Sequence, residues 1–400
     1  MKKKRILVSP LDWGLGHASR DVPLIKNLLE KNNEVIIGGD GASLEFLKIE
    51  FPHLEVIPIP SHKFVYSKLF PAWFMIIVQI PVFIKGIIKE NRFLKNIIHH
   101  HDLDLVISDA RYGLWSHQIP SVIITHQVRI MMPRFFKAFE YLINPINLLA
   151  LDKFSQHWIP DIPGNFNLSG NLSHNTKLIS DSVYIGFLSG LEENNIAPIP
   201  SEKYDVVVLL SGPEPQRSVL ENKITGQLLK QNRKSLIIGG KTGVKTMQDL
   251  SESCKRISFL SGNKLYNILK NSNYLICRSG YSTIMDLVKM KKTAFLIPTP
   301  GQTEQEYLAR HLQEQGLFLF SEQKDFNMED AIRRLDHFKP EDFPCTEKTL
   351  LDEALKRLSS GMQKNTRFLK DVYVEKSGIR KIQMINKTEA ITAQPIRKPE

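Results

Sequence analysis

The chain has 400 residues, more than one hydrophobic core usually serves, so its length predicts two domains. Its apolar fraction of 42% and charged fraction of 24% are ordinary for a soluble globular protein. The formal net charge of +11 indicates an anionic partner. No segment resembles a nucleic-acid-binding module, so we expect phosphorylated small molecules or an acidic membrane surface rather than nucleic acid.

The cysteines and the N-terminus both predict a cytoplasmic chain. The three cysteines are far apart and have no metal-ligand spacing, which is typical of a reduced protein without structural disulfides. The basic start Met1–Arg5 resembles a signal peptide, but the apolar run behind it is only Ile6–Val8, and Asp12 follows soon after. We therefore expect a first β-strand here.

Residues 69–88 form an apolar run of about the length that spans a bilayer. Two prolines, Gln79, Lys85 and Gly86 interrupt the run, and basic residues flank it. A membrane span is the least favoured of three interpretations. The others are a helix of the first domain's core and a patch that lies in the headgroup layer. The aromatic residues and lysines of segment 64–88 suit such a patch, on the inner face of the cell membrane.

Short β-like runs alternate with helical stretches twice along the chain, which predicts an α/β protein with two parallel sheets covered on both faces. The β-like runs are Ile6–Ser9, Glu34–Ile37, Glu55–Ile59, Leu105–Ser108, Ser121–Thr125, Val206–Leu210, Ser235–Ile238, Arg256–Phe259, Tyr274–Cys277 and Ala294–Ile297. Helices are predicted at Val22–Lys31, Ser43–Phe51, Ile84–His100, Lys264–Lys270, Ser282–Met290 and Thr303–Gln315.

Composition places a linker between the two halves and a tail after them. The predicted segments are an N-terminal doubly wound domain (1–185), a linker (186–204), a C-terminal doubly wound domain (205–360) and a loose basic tail (361–400). Two Rossmann-like domains of similar size would face each other across a cleft. Ligands of such sheets bind at the carboxyl ends of the strands.

Three polar loops follow strands of the first domain and should share one rim. After the first strand, Gly14 and Gly16 allow a close backbone approach at a helix N-terminus, and His17 could accept a proton from a hydroxyl. This loop is also compatible with a simple capping turn. Its spacing does not match a dinucleotide fingerprint.

Asp109 and Arg111 lie after a strongly apolar strand, and His126 and Gln127 after the next. Asp109 is a second candidate for the catalytic base. Arg111, His126 and Gln127 are candidates for binding a phosphate or the acceptor substrate, the molecule that carries the hydroxyl to be deprotonated. A salt-bridged turn is an equally good interpretation of Asp109 and Arg111.

The second domain carries a stronger motif. A strand ends in Arg278, Ser279 and Gly280, and a helix follows that contains Thr283 and Asp286. The N–H groups of such a helix N-terminus suit a diphosphate, and Asp286 could accept from ribose hydroxyls. In the next loop, Gln305 and Glu306 could bind sugar hydroxyls or could form a solvated first helical turn.

The run from Arg278 to Gly316 resembles the donor half of glycosyltransferase family 28. In that family an Arg-Ser/Ala-Gly-x-x-Thr-x-x-Glu run precedes a proline-rich loop ending in Gln-Gln. Asp286 stands here for the glutamate and Glu306 for the second glutamine. The resemblance is specific over about forty residues and weaker but collinear over residues 5–320. The loop Ser211–Arg217 departs from the family's glycine-rich loop, because two prolines remove N–H donors.

The resemblance implies the GT-B fold and an inverting, metal-independent transfer from a UDP-sugar, N-acetylglucosamine or a related hexose, to a hydroxyl acceptor. No cofactor other than the donor is implied, and a lipid-linked acceptor is one candidate. Two alternatives share the fold: a UDP-sugar 2-epimerase, and a non-catalytic nucleotide-sugar or lipid-binding protein. Incubation with the UDP-sugar alone discriminates among them, because an epimerase converts it, a transferase leaves it largely intact and a binder only sequesters it.

Overall fold

The computed structural model describes residues 3–60, 72–176, 178–179, 181–191, 202–241, 246–344 and 349–359. The expected tail at 361–400, residues 64–71 of the expected membrane patch and residues 192–201 of the expected linker lie outside the described residues.

The N-terminal half folds as an entirely parallel, seven-stranded sheet with the order β3-β2-β1-β4-β5-β6-β7. Its elements are β1 (Arg5–Pro10), α1 (Leu15–Glu30), β2 (Glu34–Gly39), α2 (Gly41–Glu50), β3 (Glu55–Pro58), α3 (Ala72–His100), β4 (Leu105–Asp109), β5 (Ser121–Ile124), α4 (Glu140–Leu151), β6 (Gln156–Ile159) and β7 (Ser182–Tyr184). Alternate residues of β1 enter different cores, with Ile6 and Val8 on one face and Leu7 on the other.

The C-terminal half repeats this plan with the order β10-β11-β9-β8-β12-β13-β14, in which only the edge pair β10–β11 is antiparallel. Its elements are β8 (Val206–Leu209), α5 (Gln216–Leu228), β9 (Ser235–Ile238), β10 (Met247–Asp249), β11 (Cys254–Ile257), α6 (Gly262–Asn271), β12 (Tyr274–Cys277), α7 (Tyr281–Lys289), β13 (Phe295–Leu296), α8 (Thr303–Glu314), β14 (Leu319–Phe320), α9 (Met328–Asp336) and α10 (Thr349–Ser359). The predicted architecture of two Rossmann-like sheets is therefore confirmed.

The first helix begins earlier than the sequence predicts, at Leu15 instead of Val22. Pro23 lies inside α1 and cannot donate to the carbonyl of Ser19. Gly190 packs against that carbonyl, where an added Cβ would lie 2.5 Å from the Ser19 oxygen. The segment around Gly190, which follows the first domain, thus packs directly against the backbone of α1.

The last helix returns to the first domain, although the sequence places it in segment 205–360. Leu351 and Ala354 of α10 are buried in the same core cluster as α1. Asp352 accepts hydrogen bonds from Lys31 and Asn27 at the end of α1. This contact links the end of the second half to the first sheet.

The segment 72–88 is helical, but the described part of it is a surface helix rather than a core helix. Val78, Val82, Ile84 and Ile88 of α3 are exposed, and the buried side chains among those described in α3 lie from Glu90 onward. Among the described residues, no helix is long and apolar enough to span a bilayer.

The position of α10 predicts that Leu351→Ala destabilises the first half of the molecule. Loss of a buried leucine side chain should cost about 2–5 kcal/mol, because the site cannot fully collapse. Chemical denaturation should show this loss, and the exposed control Glu353→Ala should stay within about 0.5 kcal/mol of the wild type. Equal stability of both variants would contradict the packing of α10.

Candidate functional site

His17 and Asp109 meet at the carboxyl edge of the first sheet. Nδ1 of His17 lies 2.9 Å from Oδ1 of Asp109, which ends β4 and is fully buried. Arg20 donates to both carboxylate oxygens, and its Nη2 also lies 3.0 Å from Nδ1 of His17. We assign the ring proton to Nδ1, because the ionised carboxylate can only accept in the contact between Nδ1 and Oδ1. Nε2 is therefore the nitrogen that can accept a proton, on an imidazole ring that is 19% exposed.

Arg20 compensates the buried negative charge of Asp109. Burial alone would raise the pKa of Asp109, but the charges of Arg20 and His17 and their hydrogen bonds lower it to about 2. The carboxylate thus stays ionised and orients the imidazole. Neighbouring Asp21 is also fully buried, and burial together with the charge of Asp109 raises its pKa well above the usual range. Sequence reasoning missed Arg20 and Asp21.

The N-termini of α1 and α7 face each other across the two halves. A Cβ added to Gly16 would lie 2.9 Å from Oγ of Ser282 in the first turn of α7. Neither helix has a side-chain cap or an acidic residue in its first turn. Two uncapped helix N-termini therefore point positive ends at the region next to His17.

Carboxylates occupy the two helix N-termini that flank α7. Glu214 accepts from Ser218 N and Oγ at the start of α5 and pairs with Arg217. Glu304 and Glu306 lie in the first turn of α8. Of these three neighbouring helices, α7 is the one that has no carboxylate at its N-terminus.

Arg278 lies beneath this N-terminus rather than on its surface. It is 1% exposed and donates to the carbonyls of Ile297, Pro298 and Gln216, and among the described residues no carboxylate accepts from it. Burial lowers the pKa of this guanidinium to about 9. Arg278 therefore joins three loops and leaves a positive charge below α7.

Gln305 and Glu306 are engaged within their own loop. Oε1 of Gln305 accepts from the Thr299 N–H, and its Nε2 donates to Gln302. Oε1 of Glu306 accepts from the Gly301 N–H. The Gln305 side chain is thus buried and stabilises its own loop, contrary to the sequence interpretation. Glu306 still has its second carboxylate oxygen for a ligand.

Asp286 lies one turn into α7 beside the chain that leaves the first domain. Its Oδ1 accepts from Ser189 Oγ at 2.6 Å. Burial raises the pKa of Asp286 to about 7, although Ser189 and Lys289 oppose the shift. Any ribose contact by Asp286 would therefore share the carboxylate with Ser189. Thr283 is part of the same helix turn and is partly exposed.

His126 and Gln127 reach the second half of the molecule. The His126 ring stacks on Tyr281 with centroids 3.9 Å apart, and its Nε2 lies 2.8 Å from Glu304. Gln127 donates to the other oxygen of Glu304. Charges on His126 and His17 help lower the pKa of Glu304 although burial opposes this. Sequence reasoning missed Tyr281 and Glu304, which have no recognisable spacing relative to their partners.

Arg111 does not join this group, contrary to the sequence interpretation. Ala110 has a φ of 58°, and the chain then turns Arg111 into the domain, where it is 1% exposed. Its guanidinium donates to Glu90, Ser9 and the carbonyl of Ile59. The buried Arg111–Glu90 pair fixes the start of this loop to α3. Gly14, by contrast, has a φ of 82° at the N-cap of α1, as the turn requires.

Comparison with known proteins identifies the class of the molecule. The glycosyltransferase family 28 C-terminal domain matches residues 217–362. An uncharacterized glycosyltransferase of Methanosarcina acetivorans is 25% identical over 325 residues, which are 78% of this chain and 84% of the relative.

A second relative is the UDP-N-acetylglucosamine--N-acetylmuramyl-(pentapeptide) pyrophosphoryl-undecaprenol N-acetylglucosamine transferase of Elusimicrobium minutum. It is 26% identical over 157 residues, which are 37% of this chain and 42% of the relative. Among solved structures, the glycotransferase of kitacinnamycin matches 90% of this chain and 95% of its own with a TM-score of 0.59 and 12% identity. That likeness concerns the fold. Together these findings identify the chain as a glycosyltransferase of the GT-B fold that is similar to family 28 and carries the C-terminal domain of that family.

Proposed function

We propose that this glycosyltransferase moves a sugar from a UDP-sugar to a hydroxyl acceptor, with inversion and without a divalent metal ion. The observation that carries the proposal is the His17–Asp109 pair beside the open N-terminus of α7. A base and an anion site on opposite sides of a cleft are what a direct displacement needs.

In this reaction Nε2 of His17 takes the proton of the acceptor hydroxyl while that oxygen attacks the anomeric carbon. The bond from this carbon to the diphosphate oxygen breaks, and its electron pair leaves with the diphosphate. Attack opposite the leaving group inverts the anomeric centre. Asp109 stabilises the imidazolium that forms. The N–H groups of α7 and the buried charge of Arg278 stabilise the leaving diphosphate, the role that a metal ion would otherwise have.

The donor assignment rests on the family resemblance and on the name of the E. minutum relative, which uses UDP-N-acetylglucosamine. We assign the ribose to Asp286 and the neighbouring turn with Thr283, and the sugar hydroxyls to the free oxygen of Glu306. Glu306 stands where the family has a glutamine. Its carboxylate can only accept hydrogen bonds, so it would bind a sugar hydroxyl that donates.

The acceptor is proposed to be lipid-linked and presented at an anionic membrane surface on the cytoplasmic side. A short 3₁₀ helix (Arg134–Phe139) and α4 expose an apolar stripe with the spacing of one helix face. The exposed stripe consists of Phe135, Phe139, Leu142, Ile146 and Leu149.

The exposed face of α3 lies close to this stripe. Phe83 of α3 contacts the Tyr112 ring edge-on, and the Tyr112 hydroxyl donates to Asn147 of α4. Asn147 in turn donates to the carbonyls of Gln127 and Val128 beside the cleft. An apolar surface of this kind, with Arg134 and Lys137 at one end, suits the headgroup boundary.

The base assignment predicts that His17→Ala lowers turnover about 100-fold or more while UDP affinity persists. Turnover would be followed as UDP release from UDP-N-acetylglucosamine, with an acceptor or with water, and affinity by calorimetry. The exposed His53→Ala is the matched control and should keep wild-type turnover. Wild-type turnover in His17→Ala would remove His17 from the mechanism.

The ribose assignment predicts that Asp286→Ala weakens UDP binding by about 1–3 kcal/mol, the loss of charge-assisted hydrogen bonds. Because burial raises the pKa of Asp286 to about 7, the carboxylate is protonated as the pH falls below that value. Uridine, which has no phosphate, should therefore bind the wild type more weakly at pH 6 than at pH 8. A pH-independent uridine affinity that Asp286→Ala leaves unchanged would exclude the ribose contact.

The membrane assignment predicts co-sedimentation with phosphatidylglycerol vesicles at low salt, and weaker binding to neutral phosphatidylcholine vesicles or at high salt. The variant Leu142→Glu/Ile146→Glu should lose this binding. Val219→Glu, which changes an exposed apolar residue of α5, should not. Wild-type protein that sediments with neither kind of vesicle at either salt concentration would point to a soluble acceptor.

A further inference from the structure

The hydroxyl of Thr299 is a buried polar group at the end of the second sheet that the proposed reaction leaves unexplained. Thr299 follows Pro298 in the loop between β13 and α8, and it is 1% exposed. Its Oγ1 is buried without a hydrogen-bond partner among the described residues. A buried hydroxyl without a partner costs folding free energy, so its retention calls for an explanation.

The Thr299 hydroxyl reaches across the end of β12. Its Oγ1 lies 3.4 Å from the position that a Cβ on Gly212 would take, in the loop after β8. The order of the strands is β8-β12-β13, so a contact between these two loops passes over β12 and the start of α7. Gly212 has a φ of 94°. Apart from the two residues next to Gly212 in the chain, Thr299 Oγ1 is the only described heavy atom within 4 Å of that Cβ position.

The surroundings of this hydroxyl favour an anion. Arg278, in the adjoining loop after β12, has a second unpartnered donor in Nε, and its bonds to the Pro298 and Gln216 carbonyls join the loops on both sides of β12. A Cβ added at Gly280, the N-cap of α7, would meet no atom within 4 Å among the described residues. The positive end of α7 and two unpartnered donors thus belong to the adjacent loops after β12 and β13.

The flanking loop offers fewer backbone donors than its length suggests. Pro213 and Pro215 have no N–H group, and Glu214 already caps α5 with its carboxylate. A side-chain donor from the opposite loop would add to the N–H groups that remain, and Thr299 is placed to provide one.

We propose that Thr299 Oγ1 donates a hydrogen bond to the diphosphate of the nucleotide donor, above the N-terminus of α7. This assignment rests on the proposed UDP-sugar function and names a binding residue outside the Arg278–Asp286 motif. Since only the hydroxyl is required, serine should replace threonine and valine should not.

The test compares Thr299→Val with Thr299→Ser by calorimetry, using UDP and uridine as ligands. Thr299→Val should bind UDP about 10-fold more weakly or worse and uridine as well as the wild type does, because a hydrogen bond to a charged group is lost. Thr299→Ser should keep wild-type affinity for both. The melting temperature of Thr299→Val should not fall, since the hydroxyl has no partner to lose in the ligand-free protein.

Thr293→Val is the matched control. The Thr293 hydroxyl donates to the Leu317 carbonyl elsewhere in the same half, so this variant should lose stability and keep UDP affinity. If Thr299→Val does not fold, Thr299→Ala against Thr299→Ser asks the same question. UDP affinity that is equal with and without the hydroxyl overturns the Thr299 assignment alone. A wild type that binds neither UDP nor uridine overturns the proposed donor as well.

Discussion

In a parallel sheet every strand ends at the same edge, and this constraint places all the chemistry of the molecule. The loops after β1, β4 and β5 bring His17, Asp109 and His126 to one edge of the first sheet. The loops after β8, β12 and β13 bring Gly212, Arg278 and Thr299 to one edge of the second sheet. The returning helix α10 and the contact of Gly190 with α1 connect the two halves.

Buried charge then determines what these edges can do. Arg20 compensates the negative charge of buried Asp109. In the proposed mechanism this carboxylate therefore orients His17 and does not repel the diphosphate. Arg278 has no carboxylate partner in the described part of the chain, so its positive charge remains uncompensated beside the start of α7. The neighbouring helices α5 and α8 carry carboxylates at their N-termini, whereas α1 and α7 do not. In the proposed mechanism these two sides of the cleft supply a proton acceptor and an anion site.

Local patterns were sufficient to predict five of the seven strands of each sheet and most of the helix that follows Arg278. Strand–helix alternation and the small residues Ser279 and Gly280 are visible without knowledge of long-range contacts. The approach of His17 to Asp109 was predicted only as a shared rim, because the distance between them depends on the pairing of β1 with β4.

Side-chain direction was not predictable from the same patterns. Arg111 follows a strand like Asp109 does, but the positive φ of Ala110 turns it toward Glu90. Gln305 matches a family glutamine, yet its amide is used to hold Thr299. Glu304 could not be identified from the sequence, because its partners His126 and Gln127 belong to the other half of the chain.

Chemical rescue tests the central claim, that His17 accepts the proton of the attacking hydroxyl, most directly. UDP release by His17→Ala would be measured with increasing imidazole in buffer that contains EDTA. The account predicts that imidazole restores turnover in proportion to its neutral form, because the small base replaces the missing ring beside Asp109. Turnover that imidazole does not change, or that returns only when magnesium or manganese is added, would contradict it.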